Sequence, residues 1–182
     1  MLPFLKKYRD GRRPRCAALV AAAGSSTRMG GVNKLLLPLD GIPVLVRTLD
    51  ALQRAERVDE IIVATREEEL VEIAQLCHTY GISKCKKVIR GGESRTHSVM
   101  LAALEADKSM ELLAVQDGAR PLVTPALIDS VIAAASRCGA AAPAADKPDA
   151  RNDTLTHGEL SPAKQKLFNE LKFGRNNDQK GK

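Results

Sequence analysis

Two cations, Arg28 and Lys34, fall in a stretch that is otherwise small and rich in exposed backbone: Ala21-Ala22-Ala23-Gly24-Ser25-Ser26-Thr27-Arg28-Met29-Gly30-Gly31-Val32-Asn33-Lys34. Small side chains let a ligand come close to the main chain, whose amides then act as donors. Amide donors and two fixed positive charges are what a triphosphate requires, the first for its oxygens and the second for its reaction centre. The same stretch would also serve as an ordinary strand-to-helix turn with two solvated cations, since short glycine-rich patterns recur by chance. Two familiar phosphate loops are excluded. A P-loop places Lys directly after its last Gly, and here Val32 and Asn33 intervene; the dinucleotide fingerprint needs Gly where Ser26 stands. Two further clusters carry chemistry-bearing residues: Gly91-Gly92-Glu93-Ser94-Arg95 and Asp117-Gly118-Ala119-Arg120-Pro121.

All three clusters follow segments with the length of strands. Cys16–Ala22 precedes the first, Lys86–Arg90 the second and Leu112–Gln116 the third, and Glu60–Ala64 is a further strand. Helices are expected between them. Pro43 opens one with the stripe Val44, Leu45, Thr48, Leu49 and Leu52. Glu67–Tyr80 starts with three acids at its positive end and turns Leu70, Ile73, Ala74 and Cys77 inward. The next runs from Arg95 to about Ala106, with Val99, Ala102, Ala103 and Ala106 on one side. Thr124 caps another, with Pro125 at its first position and Leu127, Ile128, Val131, Ile132 and Ala135 as the buried stripe. Leu35–Leu39 reads as a short extended piece closed by Asp40-Gly41, and Ala140–Pro143 as a fifth strand. Continuous apolar strands alternating with helices define an α/β protein whose parallel sheet is covered on both faces. Ligands of such sheets bind beyond the carboxyl ends of the strands, where all three clusters lie.

The 182 residues suit one domain over 16–143, with a basic arm over 1–15 and a divergent linker, a possible short helix and a polar tail over 144–182. The net charge of +6 is unevenly spread: +5 on residues 1–15, +3 on 151–182 and −2 on 16–150. A nucleic-acid surface needs basic charge on the folded body, and single-strand binding also needs aromatics, which are 3% here. No nucleic-acid partner is expected. Nor is a membrane partner, since no apolar run reaches the roughly 20 residues of a span. Cys16, Cys77 and Cys138 fall on apolar faces and read as core residues, with Cys85 partly exposed; none has metal-ligand spacing. Reduced thiols and the lack of a signal-like apolar stretch in Met1–Arg15 fit a cytoplasmic protein.

Ala22-Ala23-Gly24-x-x-x-Arg28-Met29 with Lys34, Gly91-Gly92-x-x-Arg95-x-x-Ser98-Val99 and Asp117-Gly118-Ala119-Arg120-Pro121 together resemble the 2-C-methyl-D-erythritol 4-phosphate cytidylyltransferase family over residues 16–143. The first element is common to many nucleotidyltransferases, and the other two are narrower. The resemblance implies a Rossmann-like three-layer α/β/α nucleotidyltransferase sheet, mostly parallel. It implies Mg²⁺-dependent transfer of a cytidylyl group from CTP to 2-C-methyl-D-erythritol 4-phosphate with release of pyrophosphate, a step of isoprenoid precursor synthesis. Arg28 and Lys34 would be catalytic. Ala22, Ala23, Gly24, Ser25, Ser26, Gly92, Glu93, Ser98 and Gly118 would bind the nucleotide, Asp117 the metal and Arg120 the second substrate. Other readings stay open at single positions: Asp117 as a turn carboxylate, Arg95 as an ion-pair partner of a nearby acid, Ser98 as a group satisfying its own helix, His97 as a surface residue.

The family also implies a homodimer joined through a projecting β-arm, a Pro-Val-x-Asp-Thr element and a late Lys-x-Thr motif. None is found after Pro143, where Ala144-Ala145-Asp146-Lys147-Pro148 departs from the pattern. The expectation is a C-terminally truncated relative with exposed apolar sheet edges. The alternatives to an active enzyme are a non-catalytic nucleotide-binding remnant and a nucleotidyltransferase for another phosphorylated acceptor, such as a sugar phosphate or a molybdenum cofactor precursor.

Overall fold

The structure, a computed structural model, describes residues 12–24 and 33–144, and the chain divides after Pro143. Four parallel strands make the main sheet: β1 (Cys16–Ala21), β4 (Glu60–Thr65), β5 (Cys85–Arg90) and β6 (Leu112–Asp117), in the order β5-β4-β1-β6. Two short strands, β2 (Pro38–Leu39) and β3 (Ile42–Pro43), form a hairpin whose turn residues Asp40 and Gly41 both have positive φ (53° and 75°). That pair of left-handed residues matches the twist of a tight hairpin. The helices are α1 (Val44–Arg54), α2 (Leu70–Thr79), α3 (Arg95–Glu105) and α4 (Pro125–Cys138).

Strand β1 is hydrogen-bonded on both sides, Ala17–Ala21 against Glu60–Ala64 and Cys16–Ala21 against Leu112–Asp117. Its side chains are therefore enclosed above and below, which is why an unbroken Cys-Ala-Ala-Leu-Val run suits it better than an alternating one. Cys16, Ala18 and Val20 pack with Ile61, Val63 and Leu112 against α1, α2 and α4. Ala17, Leu19, Ile62 and Ala64 pack against Ala102, Ala103 and Ala106 of α3 and its exit. Helix, sheet and helix make three layers, the second interface thin because alanine lines it. The chain leaves β5 at one edge and enters β6 beyond β1, so the strand order reverses at β1. That reversal opens a crevice above the carboxyl ends of β1 and β6.

Helix ends follow local chemistry. The Ser94 hydroxyl accepts from His97 N at 3.1 Å and the Thr124 hydroxyl from Leu127 N at 3.2 Å. Gly139 ends α4 at φ +88°, its N–H donating to Ala135 O at 2.8 Å.

Several expectations need correction. Ala140–Pro143 forms no strand and is exposed; no ladder partner stands beside it among the described residues. The segment over 67–80 begins as a 3₁₀ turn, Glu67–Glu69, and this rotates Ala74 outward while burying Glu69. Leu127 and Cys138 are exposed, since only Ile128 and Ile132 of α4 are fully buried against the sheet. The expected open edge is present: among the described residues β6 has no strand on its outer side, and Leu113 (42%) and Val115 (45%) are exposed on the α3 face.

Candidate active site

The carboxyl ends of the four strands are tied together by short backbone bonds. Ala22 N donates to Ala64 O at 2.8 Å, Gly91 N to Thr65 O at 2.7 Å and Gly118 N to Ala21 O at 3.0 Å. The loops that leave these ends touch. A Cβ placed on Gly91 would lie 2.5 Å from Ala23 Cβ and 2.9 Å from Ser98 Oγ, far inside contact distance. Gly118 is packed almost as closely, with a Cβ there reaching 3.1 Å from Leu45 Cδ1 and 3.3 Å from Ala21 O. Gly91 and Gly118 are therefore small because neighbouring strand ends crowd them, whereas Gly24 faces open space. Thr48 of α1, fully buried, reinforces this by donating to Gly118 O at 2.9 Å.

One carboxylate lies at the rim. Asp117 accepts from Arg95 Nε at 2.8 Å on Oδ1 and from Arg120 Nε at 3.0 Å on Oδ2. The two arginines remain 60% and 71% exposed while Asp117 is 31% exposed. Partial burial by itself would raise the Asp117 pKa, but the bonds from Arg95 and then Arg120 outweigh it and hold the carboxyl below its usual range. Two cations around one anion leave the rim with net positive charge, and each bond uses only Nε. The terminal nitrogens carry the fork geometry that accepts phosphate oxygens in pairs.

A second network secures the far side of the mouth. Asn33 Oδ1 accepts from Leu35 N at 3.0 Å, and Asn33 Nδ2 donates to Glu69, whose other oxygen takes the Thr65 hydroxyl at 2.9 Å. Arg66 donates to the same Glu69 carboxylate. Lys34, exposed, thus stands between Asn33, whose side chain is linked through Glu69 to Thr65 at the end of β4, and Leu35, whose carbonyl accepts from Leu45 N of α1. Asn33, Thr48, Thr65, Arg66 and Glu69 were not legible as site residues. Only the buried acid in a helix start, an unusual place for Glu, carried a signal, and it resembled a run of acids at a helix dipole.

Of the sequence-predicted residues, Ser25, Ser26 and Arg28 lie outside the described residues. Ala22, Ala23, Gly24, Gly92, Glu93, Ser98, Asp117, Gly118 and Arg120 lie on the loops and turns at the strand ends, and Lys34 follows Asn33, which Glu69 links to β4. Two differ in kind from the expectation. Ser98 is 2% exposed, and its hydroxyl accepts from Gly92 N at 3.1 Å and donates to Ser94 O at 2.9 Å. It shapes the glycine turn from behind. Gly118 is buried with both its N–H and C=O engaged inside the protein, so it positions Asp117 rather than offering an amide. Arg95 is the ion-pair partner of a nearby acid, one of the readings left open, and the acid is Asp117.

A parallel three-layer sheet with a small-residue loop on its central strand and arginines on the adjoining rim is the nucleotidyltransferase fold. A crystal structure of 4-diphosphocytidyl-2C-methyl-D-erythritol synthase from Anaerococcus prevotii shares it, with a TM-score of 0.59 and 26% identity over 68% of this chain and 52% of that one. The chain belongs to the 2-C-methyl-D-erythritol 4-phosphate cytidylyltransferase family, whose model matches residues 16–161 and so runs past Pro143, where the motif resemblance stopped. A relative from Bacillus cytotoxicus bearing that name is 41% identical over 123 residues, 67% of this chain and 54% of the relative. One from Dehalococcoides mccartyi is 36% identical over 148 residues, 81% of this chain and 62% of the relative. The chain therefore spans little more than half the length of the curated relatives it matches. Among the described residues no helix is long and apolar enough to cross a membrane.

Proposed function

We propose that the protein transfers a cytidylyl group from CTP to 2-C-methyl-D-erythritol 4-phosphate and releases pyrophosphate. The observation that carries this reading is the convergence of Ala22–Gly24, Gly91–Ser98 and Asp117–Arg120 on one crevice, in a chain of the matching family. One phosphate oxygen of the acceptor attacks the α-phosphorus of CTP in line with the departing pyrophosphate. That oxygen is already anionic near neutral pH, so no strong general base is required. The obstacle is the meeting of two anions, and fixed positive charge with close positioning supplies the acceleration.

In this reading Arg28 and Lys34 stabilise the five-coordinate phosphorus and the leaving group. The amides of Ala23 to Ser26 hold the triphosphate, and the Gly92–Glu93 turn, braced by Ser98, meets the nucleotide. Arg120, steadied by Asp117, takes the acceptor phosphate. A Mg²⁺ carried in by the triphosphate would need no more than one protein carboxylate, and Asp117 is the one at the rim. Among the described residues no group of three His, Cys, Asp or Glu side chains could hold a metal, and both oxygens of Asp117 serve arginines. Bound to phosphate oxygens, Mg²⁺ would screen their charge. In this reading the protein is cytoplasmic, with two small molecules as its partners.

The test is pyrophosphate release with CTP against ATP, GTP and UTP, with and without methylerythritol phosphate. Release that needs both CTP and that acceptor supports the reading. Release with another nucleotide or another phosphorylated acceptor overturns it. A second reading is CTP binding without turnover. It would show as a CTP-dependent rise in melting temperature with no pyrophosphate.

A further inference from the structure

Glu67, Glu68 and Glu69 form the 3₁₀ turn that follows β4, but the three acids are used differently. Glu67 and Glu68 are exposed and pair with Arg90 and Arg66 at the surface. Glu69 is 4% exposed and turns inward. Its Oε1 accepts from Asn33 Nδ2 and from a terminal nitrogen of Arg66, and its Oε2 accepts from the Thr65 hydroxyl at 2.9 Å. A carboxylate taken out of water is costly unless it is paired and hydrogen-bonded, and here three donors meet it. An apolar side chain would fill the same place at lower cost, so stability alone gives no reason for an acid.

The donors show what the acid connects. Asn33 precedes Lys34, and its side-chain and main-chain oxygens accept from Leu35 N at 3.0 Å and from Leu36 N at 3.1 Å. Thr65 ends β4, and its carbonyl accepts from Gly91 N at 2.7 Å. The carbonyl before it, Ala64 O, accepts from Ala22 N at 2.8 Å. The segments bearing Ala22, Gly91 and Lys34 are thus all tied to the last two residues of β4, the third of them through Glu69. Past Lys34 the chain has a separate anchor. Leu35 is buried in the core, and its carbonyl accepts from Leu45 N at 2.9 Å.

We propose that Glu69 is a positioning residue: through Asn33 it fixes the place of Lys34 relative to the Gly91–Gly92 turn. Its kinetic consequence rests on the proposed cytidylyl transfer; the link itself does not. A cation that meets charge developing in the transition state helps only if it already stands in place, and a displacement of about 1 Å can cost about 10²-fold in rate. Ground-state binding tolerates such play better, so kcat falls more than KM rises. Loss of Glu69 releases the Asn33 side of Lys34 and leaves the Leu35 anchor standing, which loosens the cation without opening the core.

The test uses Glu69→Ala, Glu69→Gln, Asn33→Ala and the double variant Glu69→Ala/Asn33→Ala in the full chain. Gln keeps an oxygen for Asn33 and Arg66 and an amide that can donate to the Thr65 hydroxyl, so it preserves the link without the charge. Expected in both Ala variants is a kcat lower by about 10²-fold with a KM for CTP within about threefold of the parent. Gln should restore kcat to within about tenfold of the parent, and the double variant should be no worse than either single one, because both remove the same link. Deuterium exchange supplies a readout that needs no turnover: Leu35 and Leu36 amides should exchange at least roughly tenfold faster in Glu69→Ala, with those of β1 unchanged. Should Glu69→Ala not fold, Asn33→Ala carries the kinetic readout and the exchange of Leu36. A lowered melting temperature with unchanged kcat per folded molecule would show a purely structural role and overturn the proposal. So would unaltered exchange, additive losses in the double variant, or a Gln variant as impaired as Ala. A parent that releases no pyrophosphate defeats the cytidylyl-transfer reading, and the exchange result then decides the link by itself.

Discussion

Asp117 spends its charge on two arginines, and the site's electrostatics turn on that arrangement. Asp117→Asn keeps the shape but weakens the hold on both guanidinium groups. The expected outcome is a loss of about 10²-fold in kcat/KM, or ~2.7 kcal/mol of transition-state stabilisation, mostly through the acceptor's KM. Steady-state kinetics with CTP saturating would show it, and an unchanged KM for the acceptor would remove Arg120 from that role. Lys34→Ala is expected to abolish measurable turnover, by on the order of 10³-fold, because a fixed cation at developing charge has no substitute from solvent. Its melting curve should match the parent's, since Lys34 is exposed and the neighbouring Asn33 and Leu35 carry the local structure. Turnover within tenfold of the parent would end its assignment.

Between elements, Gly91 makes a close junction with Ala23 and Ser98. Gly91→Ala forces two loops apart, one built on backbone, so a cost of about 1–3 kcal/mol is expected together with weakened CTP binding. Urea unfolding and a nucleotide titration would measure the two separately. Thr48→Val tests the support behind Gly118: losing the buried donor to its carbonyl should destabilise by about 1–2 kcal/mol. The strands and helices that carry these junctions were readable because their signals are local. Apolar runs marked β1, β4 and β6, and Thr124 with Pro125 marked a helix start. The site was readable in part, since small residues and cations announce a phosphate loop without saying what they touch. What Ser98 and Gly118 do depends on residues 6 and 70 positions away, Gly92 and Thr48, and spacing along the chain cannot show that. Ala140–Pro143 failed for the same reason, because a strand exists only where a neighbour completes its ladder.

Across the described part of the molecule, the depressed carboxylates Asp59 and Asp117, together with Asp107, which Ser109 holds low by hydrogen bonding, set the response to acid. At Asp59 burial opposes ionisation, but the paired bonds from Arg13 and the one from Cys16 N keep its pKa below the usual value, as Arg95 and Arg120 do for Asp117. Each group binds fewer protons folded than unfolded, so its stabilisation is complete above about pH 4 and disappears as pH falls through the lowered values. Melting temperature should be flat from pH 7 to 5 and drop below about pH 4, less steeply in Asp59→Asn. The outer side of β6, bare among the described residues, makes a further expectation at this scale. Val115→Lys should slow concentration-dependent turbidity without altering CTP binding, and faster turbidity would argue against that edge as the point of association.

Strand β1 is bonded along both flanks and enclosed on both faces, and the small-residue loop springs from its end. Amide protons there should be the last in the domain to trade with deuterium, surviving openings that release β5 and the terminal turns. A grip anchored to the slowest-exchanging strand would outlast partial melting, so nucleotide could remain held while the outer parts of the protein come and go.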